Sequence, residues 1–246
     1  FIDGKRKWND KTINRILAHL KTFAKWIDFT VSRPEFGYPP FKFGNPMRKV
    51  SSLSITNQLE VEKFLTESEK RKILDACDFM IHSKRVSRDR NRYKDVTQRP
   101  TDKRARPYRD RAIVYLLIGS GMRRGAISRL NLSDIDFDNR TATVIEKGGS
   151  QHTYVISKEA IQAVQDYIYK ERKHDADSSK SPALFLPNST NSFSDGRLKV
   201  WTLNDIWKRI CKKAEIEGKT PHSARHYVGK KVMEKTGNIS AVQRTL

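Results

Sequence analysis

A histidine and an arginine near the end of the sequence have the types and spacing to act on a phosphate group. His222 and Arg225 stand three residues apart, directly after Pro221. Proline is well placed at the start of a helix, and residues three apart lie on one helix face. An arginine fork binds two phosphate oxygens, and an imidazole donates a hydrogen bond or carries a proton. The alternative for this pair is a histidine that caps the helix and an arginine on the surface.

Two more cations precede this pair in the chain. Arg123 follows a Gly-Ser-Gly break between two predicted helices, so it could project from buried scaffolding into a site. Alternatively, Arg123 or Arg124 pairs with a nearby acid such as Asp110. Lys147 lies on the tip side of a predicted hairpin, where a lysine is usually solvated. It becomes a site residue only if the hairpin bends over a ligand.

The composition favours a polyanionic partner. The 246 residues include 49 Lys and Arg against 28 Asp and Glu, which gives a net charge of +21 spread along the chain. Such an excess points first to nucleic acid. The sequence has no long apolar run and no signal-peptide pattern, which argues against a membrane partner. Cys77 and Cys211 are far apart and are interpreted as buried thiols. No metal-type histidine spacing and no glycine-rich nucleotide loop are present, so we expect no cofactor.

The elements that would position these side chains form two regions. A helix with one apolar stripe is predicted over residues 10–29. Its opposite face carries basic residues: Lys11, Arg15 and Lys25. That face is either an ordinary solvated surface or a surface that faces DNA. Proline and glycine break the periodicity over residues 30–62, so we place a domain boundary near 50–62.

The second region is predicted to be mostly helical with one β-hairpin. A capping box of Thr66 and Glu69 opens its first helix, and Thr202 with Asp205 is expected to cap a later one. Periodicity predicts helices at residues 108–118, 157–170, 203–216 and 221–235 and from 240, hairpin strands at 141–146 and 152–157, and a short strand at 184–186. The fold class is therefore mainly α with a small antiparallel β-sheet (α+β).

A basic segment separates the first two helices of this region. Residues 84–106 contain ten Lys and Arg and three acids, with little apolar content, so they cannot build core. We interpret them as a long loop or mobile hairpin that clamps a DNA backbone through residues such as Arg99 and Arg104. The alternative is a disordered insertion.

Taken in order, these motifs resemble the tyrosine recombinases, the phage integrase family. Gly121–Gly125 (Gly-Met-Arg-Arg-Gly) is similar to the family's first-arginine motif, Glu146–Gly149 to its hairpin lysine motif, and His222–His226 to its His-x-x-Arg box. Phe64-Leu65-Thr66 resembles the start of the catalytic domain. Segments that resemble the end of the core-binding domain come earlier: Thr12–Arg15, Phe23–Trp26 and Asn45-Pro46. The resemblance spans nearly the whole chain.

The resemblance implies an architecture and a mechanism. Residues 1–50 would be the end of a helical core-binding domain, 51–62 a linker and 63–246 a catalytic domain, clamped together around double-stranded DNA. A tyrosine would attack a phosphodiester and form a 3′-phosphotyrosine, without metal or ATP. Arg123 and Arg225 would stabilise the transition state, Lys147 would protonate the leaving oxygen, and His222 would transfer a proton or bind phosphate. The family implies a homotetramer on two DNA sites, for integration or excision of a mobile element.

The sequence departs from the family in two places. Ala126 stands where the family often has an acid three residues after the first arginine. The chain stops at Leu246, before the position of the family's nucleophile, so we expect a truncated fragment that is inactive alone. No tyrosine matches that position: 38, 93, 108, 115, 154, 167, 169 and 227.

Two alternatives share these motifs. One is a DNA-binding protein of this fold without chemistry, and the other is a type IB topoisomerase or telomere resolvase. The expected location is the bacterial or phage-infected cytoplasm, at the nucleoid, or a eukaryotic nucleus.

Overall fold

The computed structural model describes most of the chain in two compact units, residues 1–59 and 60–246. The described residues are 8–31, 41, 44–54, 64–83, 105–145, 149–175, 180–187 and 196–246.

The first unit contains one long helix, α1 (Asp10–Val31), and a short 3₁₀ turn at Pro46–Lys49. The Asn14 side chain ties the helix to the segment after that turn, because it donates to the Leu53 carbonyl at 2.9 Å and accepts from the Leu53 amide at 2.8 Å. Part of the predicted apolar stripe is solvent-exposed here. Phe23 and Trp26 are 57% and 58% exposed and stack on each other with ring centroids 6.0 Å apart.

The second unit is helical with one small sheet, as predicted. Among its described residues the helices are α2 (Glu67–His82), α3 (Pro107–Ser120), α4 (Arg124–Arg129), α5 (Lys158–Lys170), α6 (Val200–Lys213), α7 (Pro221–Thr236) and α8 (Ile239–Thr245). The strands are β1 (Ile135–Asp136), β2 (Thr141–Ile145) and β3 (Gln151–Val155), which form an antiparallel sheet in the order β1-β2-β3. The predicted fold class, mainly α with a small antiparallel sheet, is confirmed.

Helix α3 lies at the centre of the unit. It is buried around its circumference, with Ile113, Leu116 and Leu117 at most 1% exposed, and it packs against α2, α5 and α7. A helix that is apolar on all sides needs neighbours on all sides. Its C-terminal end, at Gly121, is therefore held rigidly in the middle of the unit.

Strand β3 contributes its inward face to the same core. Tyr154 pairs with Ala142 across the hairpin and is fully buried, while His152 pairs with Val144 on the same face. The outward residues Ile145 and Val155 are exposed. Period-two alternation thus places Tyr154 between the sheet and the helices.

Carboxylates neutralise several arginines inside the unit. Asp110, 1% exposed, accepts hydrogen bonds from Arg109 and from Arg209. The idea that Asp110 pairs with Arg124 is wrong, since Arg109 and Arg209 bind Asp110 and Arg124 donates to Asn204 instead. Further pairs of this kind among the described residues are Arg111 with Asp78 and Asp166, and Arg106 with Asp175.

Two local predictions are wrong. Residues 184–186 form no strand. Ala183 makes a single β-bridge to Asn131. The buried residues that follow bond to separate partners, as when the Leu184 amide donates to the Leu130 carbonyl at 2.8 Å. Helix α6 begins at Val200, three residues before the predicted start, so Thr202 lies inside it and does not cap it. Residues 84–104 of the predicted basic loop lie outside the described residues.

No helix in the described part of the chain is both long enough and apolar enough to span a bilayer.

Candidate functional site

Helix α7 places His222 and Arg225 together at its first turn. Thr220 caps the helix through a reciprocal pair of hydrogen bonds with Ser223, and Pro221 occupies the first helical position. His222 is exposed, whereas Arg225 is only 8% exposed. The alternative of a capping histidine and a surface arginine is therefore wrong, because Thr220 supplies the cap and Arg225 is buried.

The Arg225 guanidinium is held by oxygens from three separate segments, of which the Gly121 carbonyl and the Tyr154 hydroxyl are neutral. Its Nη1 donates to the Gly121 carbonyl at 2.8 Å and lies 3.5 Å from the Tyr154 hydroxyl, and its Nη2 donates to the Leu246 carbonyl. Neutral acceptors fix the orientation of a guanidinium without cancelling its charge. Arg225 is thus preorganised as a cation.

Two glycines make room for Leu246 beside this guanidinium. A Cβ on Gly121 would lie 2.6 Å from the Leu246 side chain, and one on Gly229 would lie 2.9 Å from it. Gly121 also has φ 68°, a left-handed conformation that ends α3 and favours glycine. The Leu246 side chain therefore fills a socket between the end of α3 and the middle of α7.

Arg123 projects into the same region from the next turn of the chain. Met122 is 1% exposed and anchors the segment, and Arg123 then stands at the N-cap of α4 with an exposed side chain. Ala126, which stands where the family often has an acid, is fully buried.

A cleft of about 530 Å³ brings these groups together. Its lining residues are Met122, Arg123, Arg124, Gly125, Ala126, Arg129, Thr220, Pro221, His222 and Arg225. Among the described residues the lining holds four arginines and a histidine but no carboxylate, which gives this part of the cleft a strongly positive potential. Sequence reasoning missed Arg124 and Arg129 as members of this site. Their signal was a second arginine in the Gly-Met-Arg-Arg-Gly motif and one at the end of α4.

The cleft favours the neutral form of His222. Burial lowers the pKa of His222 below its usual 6.5, and His226, Arg225, Arg123 and Arg124 lower it further by charge repulsion. The His226 ring packs edge-on against that of His222, with centroids 4.2 Å apart, and also contacts Phe64 at 5.3 Å. An anion in the cleft would reverse this repulsion and favour the imidazolium.

A titration of His222 by NMR tests this electrostatic picture. We expect a midpoint below 6.5 in the free chain, because the neighbouring cations oppose protonation. Sulfate, which keeps its charge across this range, should raise the midpoint, and so should Arg123→Ala. By linkage, sulfate should bind more tightly as the pH falls through the midpoint. The His222→Gln variant assigns the resonance, and a midpoint at or above 6.5 without sulfate would contradict the expectation.

A polar cluster fixes α7 against α2. The Tyr227 hydroxyl donates to Glu67 at 2.6 Å and lies 3.2 Å from Lys70 Nζ, and Lys231 pairs with Glu67 at 2.8 Å. The hydrogen bond from Lys231, and then that from Tyr227, lowers the pKa of Glu67 to about 2. Burial raises the pKa of Tyr227. Tyr227 therefore has the environment of a structural residue rather than of a nucleophile.

The other predicted site residues lie elsewhere. Lys11, Arg15 and Lys25 are exposed on α1. Lys147, Arg99 and Arg104 lie outside the described residues. Tyr154 approaches Arg225, but it is fully buried and so offers no surface to a DNA strand. In the described ranges no three His, Cys, Asp or Glu side chains cluster as metal ligands.

The sequence profile of the phage integrase family matches residues 63–246, three quarters of the chain and the whole of the cleft. The chain belongs to this family, the tyrosine recombinases. Tyrosine recombinase XerC of Caldanaerobacter subterraneus subsp. tengcongensis is 33% identical over 133 residues, which cover 53% of this chain and 35% of that protein. Tyrosine recombinase XerS of Streptococcus thermophilus (strain CNRZ 1066) is 25% identical over 247 residues, covering 96% of this chain and 64% of that protein.

Solved structures of recombinases share the fold. XerH bound to its difH substrate in a pre-cleavage complex superposes with a TM-score of 0.69 at 17% identity, covering 97% of this chain and 59% of that one. The Tn1549 transposon integrase in complex with circular intermediate DNA gives a TM-score of 0.58 at 20% identity, covering 96% and 70%. The chain spans from about a third to just under two thirds of the length of the curated relatives named above.

Proposed function

We propose that the whole protein is a site-specific DNA recombinase that cleaves and rejoins strands through a 3′-phosphotyrosine. The observation that carries the proposal is a cleft that holds Arg123, His222 and Arg225 and has no carboxylate among its described lining residues. A pentavalent phosphorus transition state gathers negative charge on its non-bridging oxygens, and preorganised cations stabilise that charge. Family membership and recombinase neighbours solved with DNA give this chemistry its context.

The proposed step balances without a cofactor. A tyrosine oxygen attacks the phosphorus, and the bond between the phosphorus and the 5′ oxygen breaks. The leaving 5′ oxygen takes up a proton and becomes a 5′-hydroxyl. Lys147 donates that proton, and His222 accepts or relays the proton of the nucleophile. The resemblance to the family implies a nucleophilic tyrosine at a position that none of the tyrosines in residues 1–246 matches.

In this proposal, contacts to the sugar-phosphate backbone of the DNA hold the substrate. The exposed face of α1, through Lys11, Arg15 and Lys25, and the basic segment with Arg99 and Arg104 bind phosphates of double-stranded DNA. Recombination between two sites requires a homotetramer. The substrate pair is the end of a mobile element and its target. The Tn1549 protein, which shares the fold, is itself a transposon integrase, and this supports the assignment.

A suicide substrate tests the chemistry directly. We expect the whole protein, incubated with a duplex nicked beside the cleavage site, to form a covalent protein–DNA adduct that survives SDS. The adduct should form to the same extent in EDTA, because arginines stabilise the charge of the transition state, a task that metal ions perform in many nucleases. Strong DNA binding without an adduct would indicate a DNA-binding protein that does not cleave DNA. Strict dependence of cleavage on Mg²⁺ would indicate a nuclease. Relaxation of supercoils without strand exchange would indicate a topoisomerase.

A further inference from the structure

The arginines of the second unit differ in the charge of their partners. Several away from the cleft pair with carboxylates, as Arg111 does with Asp78 at 2.6 Å. Two arginines of the cleft instead bond to neutral acceptors: Arg124 donates to the Asn204 side-chain oxygen at 2.8 Å, and Arg129 to the Ile145 carbonyl at 3.3 Å. These contacts orient both guanidinium groups and leave their charge for another ligand.

Exposure separates these two from an arginine with a structural role. Arg172 also bonds to neutral carbonyls, but it is 6% exposed and its donors are spread over Ser181, Ala183 and Leu184. Arg124 and Arg129 are exposed, and the contacts given above use one nitrogen of each. Since a guanidinium has five N–H donors, both keep donors that can bind a ligand in the cleft.

The position of Arg129 extends the cationic surface in one direction. It lines the cleft that holds Arg123, His222 and Arg225. It also lines a neighbouring depression of about 370 Å³ against β2. The Arg129 guanidinium lies next to Gly125, since a Cβ on this glycine would be 3.4 Å from Arg129 Nη1. Arg197 and one carboxylate, Asp134, also line this depression, so the surface toward the sheet is basic but carries an acid.

We propose that Arg124 and Arg129 together bind a second phosphate, so that the cleft holds two consecutive phosphates of one DNA strand. The first phosphate lies among Arg123, His222 and Arg225, and its neighbour on the strand lies between Arg124 and Arg129. This inference rests on the proposed function and adds to it. Two fixed phosphates define the direction of the strand through the cleft, and so define which of the two phosphorus–oxygen bonds is aligned for cleavage.

The salt dependence of DNA binding tests whether the two arginines share one phosphate. The test uses the chain with a fluorescent duplex, and Gln replaces Arg124, Arg129 or both. We expect the double variant to reduce the slope of log K against log salt by about 0.9, the value for one phosphate on duplex DNA. A reduction of about 1.8 would mean two separate phosphates and would overturn the shared position. The matched control is Lys235→Gln, an exposed cation roughly 20 Å along α7 from His222.

Short oligonucleotides test whether the second phosphate lies next to the first. A trinucleotide has two internal phosphodiesters and a dinucleotide has one. Calorimetry should show the wild-type chain binding the trinucleotide roughly tenfold more tightly, as expected for one more charge-assisted contact. The double variant should bind both equally. Equal binding by the wild-type chain would overturn the inference.

The outcomes separate this inference from the proposed function. If the wild-type chain shows no salt-dependent DNA binding, the proposed function fails. If the wild-type chain binds and Arg123→Gln weakens it, while Arg124→Gln and Arg129→Gln match Lys235→Gln, only the second phosphate position fails. An unchanged unfolding midpoint, expected for exposed side chains, shows that each variant is folded.

Discussion

Replacing Arg123 with alanine is expected to slow adduct formation by the whole protein about 10²–10³-fold, the usual effect of removing one preorganised donor to a transition-state charge. The side chain is exposed, so the fold should change in stability by less than about 0.5 kcal/mol. Single-turnover kinetics with a suicide substrate and a thermal unfolding curve on the same variant measure the two effects.

Two variants make this result specific to the guanidinium. Arg123→Lys keeps the charge but loses the two-pronged geometry, so its rate should fall between those of the wild type and the alanine variant. Lys235→Ala removes a cation at the far end of α7 and should leave the rate unchanged. If Arg123→Ala formed adduct at the wild-type rate, the proposed role of Arg123 would be wrong.

Replacing Arg225 with alanine is expected to reduce both the rate and the stability. The rate should fall at least as far as for Arg123, because this guanidinium is buried and held at fixed positions. The buried Gly121 carbonyl would lose its donor, which costs about 1–3 kcal/mol for a buried group left unsatisfied. Urea denaturation of the chain measures the stability change.

Arg225→Lys separates the charge from the hydrogen-bond geometry. An ammonium group keeps the charge but cannot match the spread of a guanidinium that reaches both carbonyls. We expect this variant to lose most of the activity and to recover part of the stability. An Arg225→Ala variant as stable as the wild type would show that the carbonyl contacts contribute nothing to folding.

Local signals in the sequence predicted the elements that present the site. Pro221 and the His-x-x-Arg spacing predicted a helix start, and the structure begins α7 at Pro221. The capping box of Thr66 and Glu69 is present in full, with both of its hydrogen bonds. Such signals act within one helical turn, so a single sequence contains them.

The composition of the cleft depends on contacts that a single sequence does not reveal. Arg225 meets Tyr154 and Leu246, which are 71 and 21 residues away. Arg129, at the end of α4, and the start of α7 line one cleft although they are far apart in the sequence. Helix α6 begins early, at Val200, where no side-chain cap marks the boundary. Tertiary packing sets these features, and a local pattern therefore cannot predict them.

The Leu246 side chain packs between Gly121 and Gly229. This packing couples the position of α8 to the phosphate site. If α8 were to separate from α7, Arg225 would lose a carbonyl partner and an empty space would open beside its remaining anchor at Gly121. The guanidinium could then rotate away from a bound phosphate. A partner that displaces α8 from α7 would therefore lower the affinity of the cleft for phosphate, although it would not contact the phosphate itself.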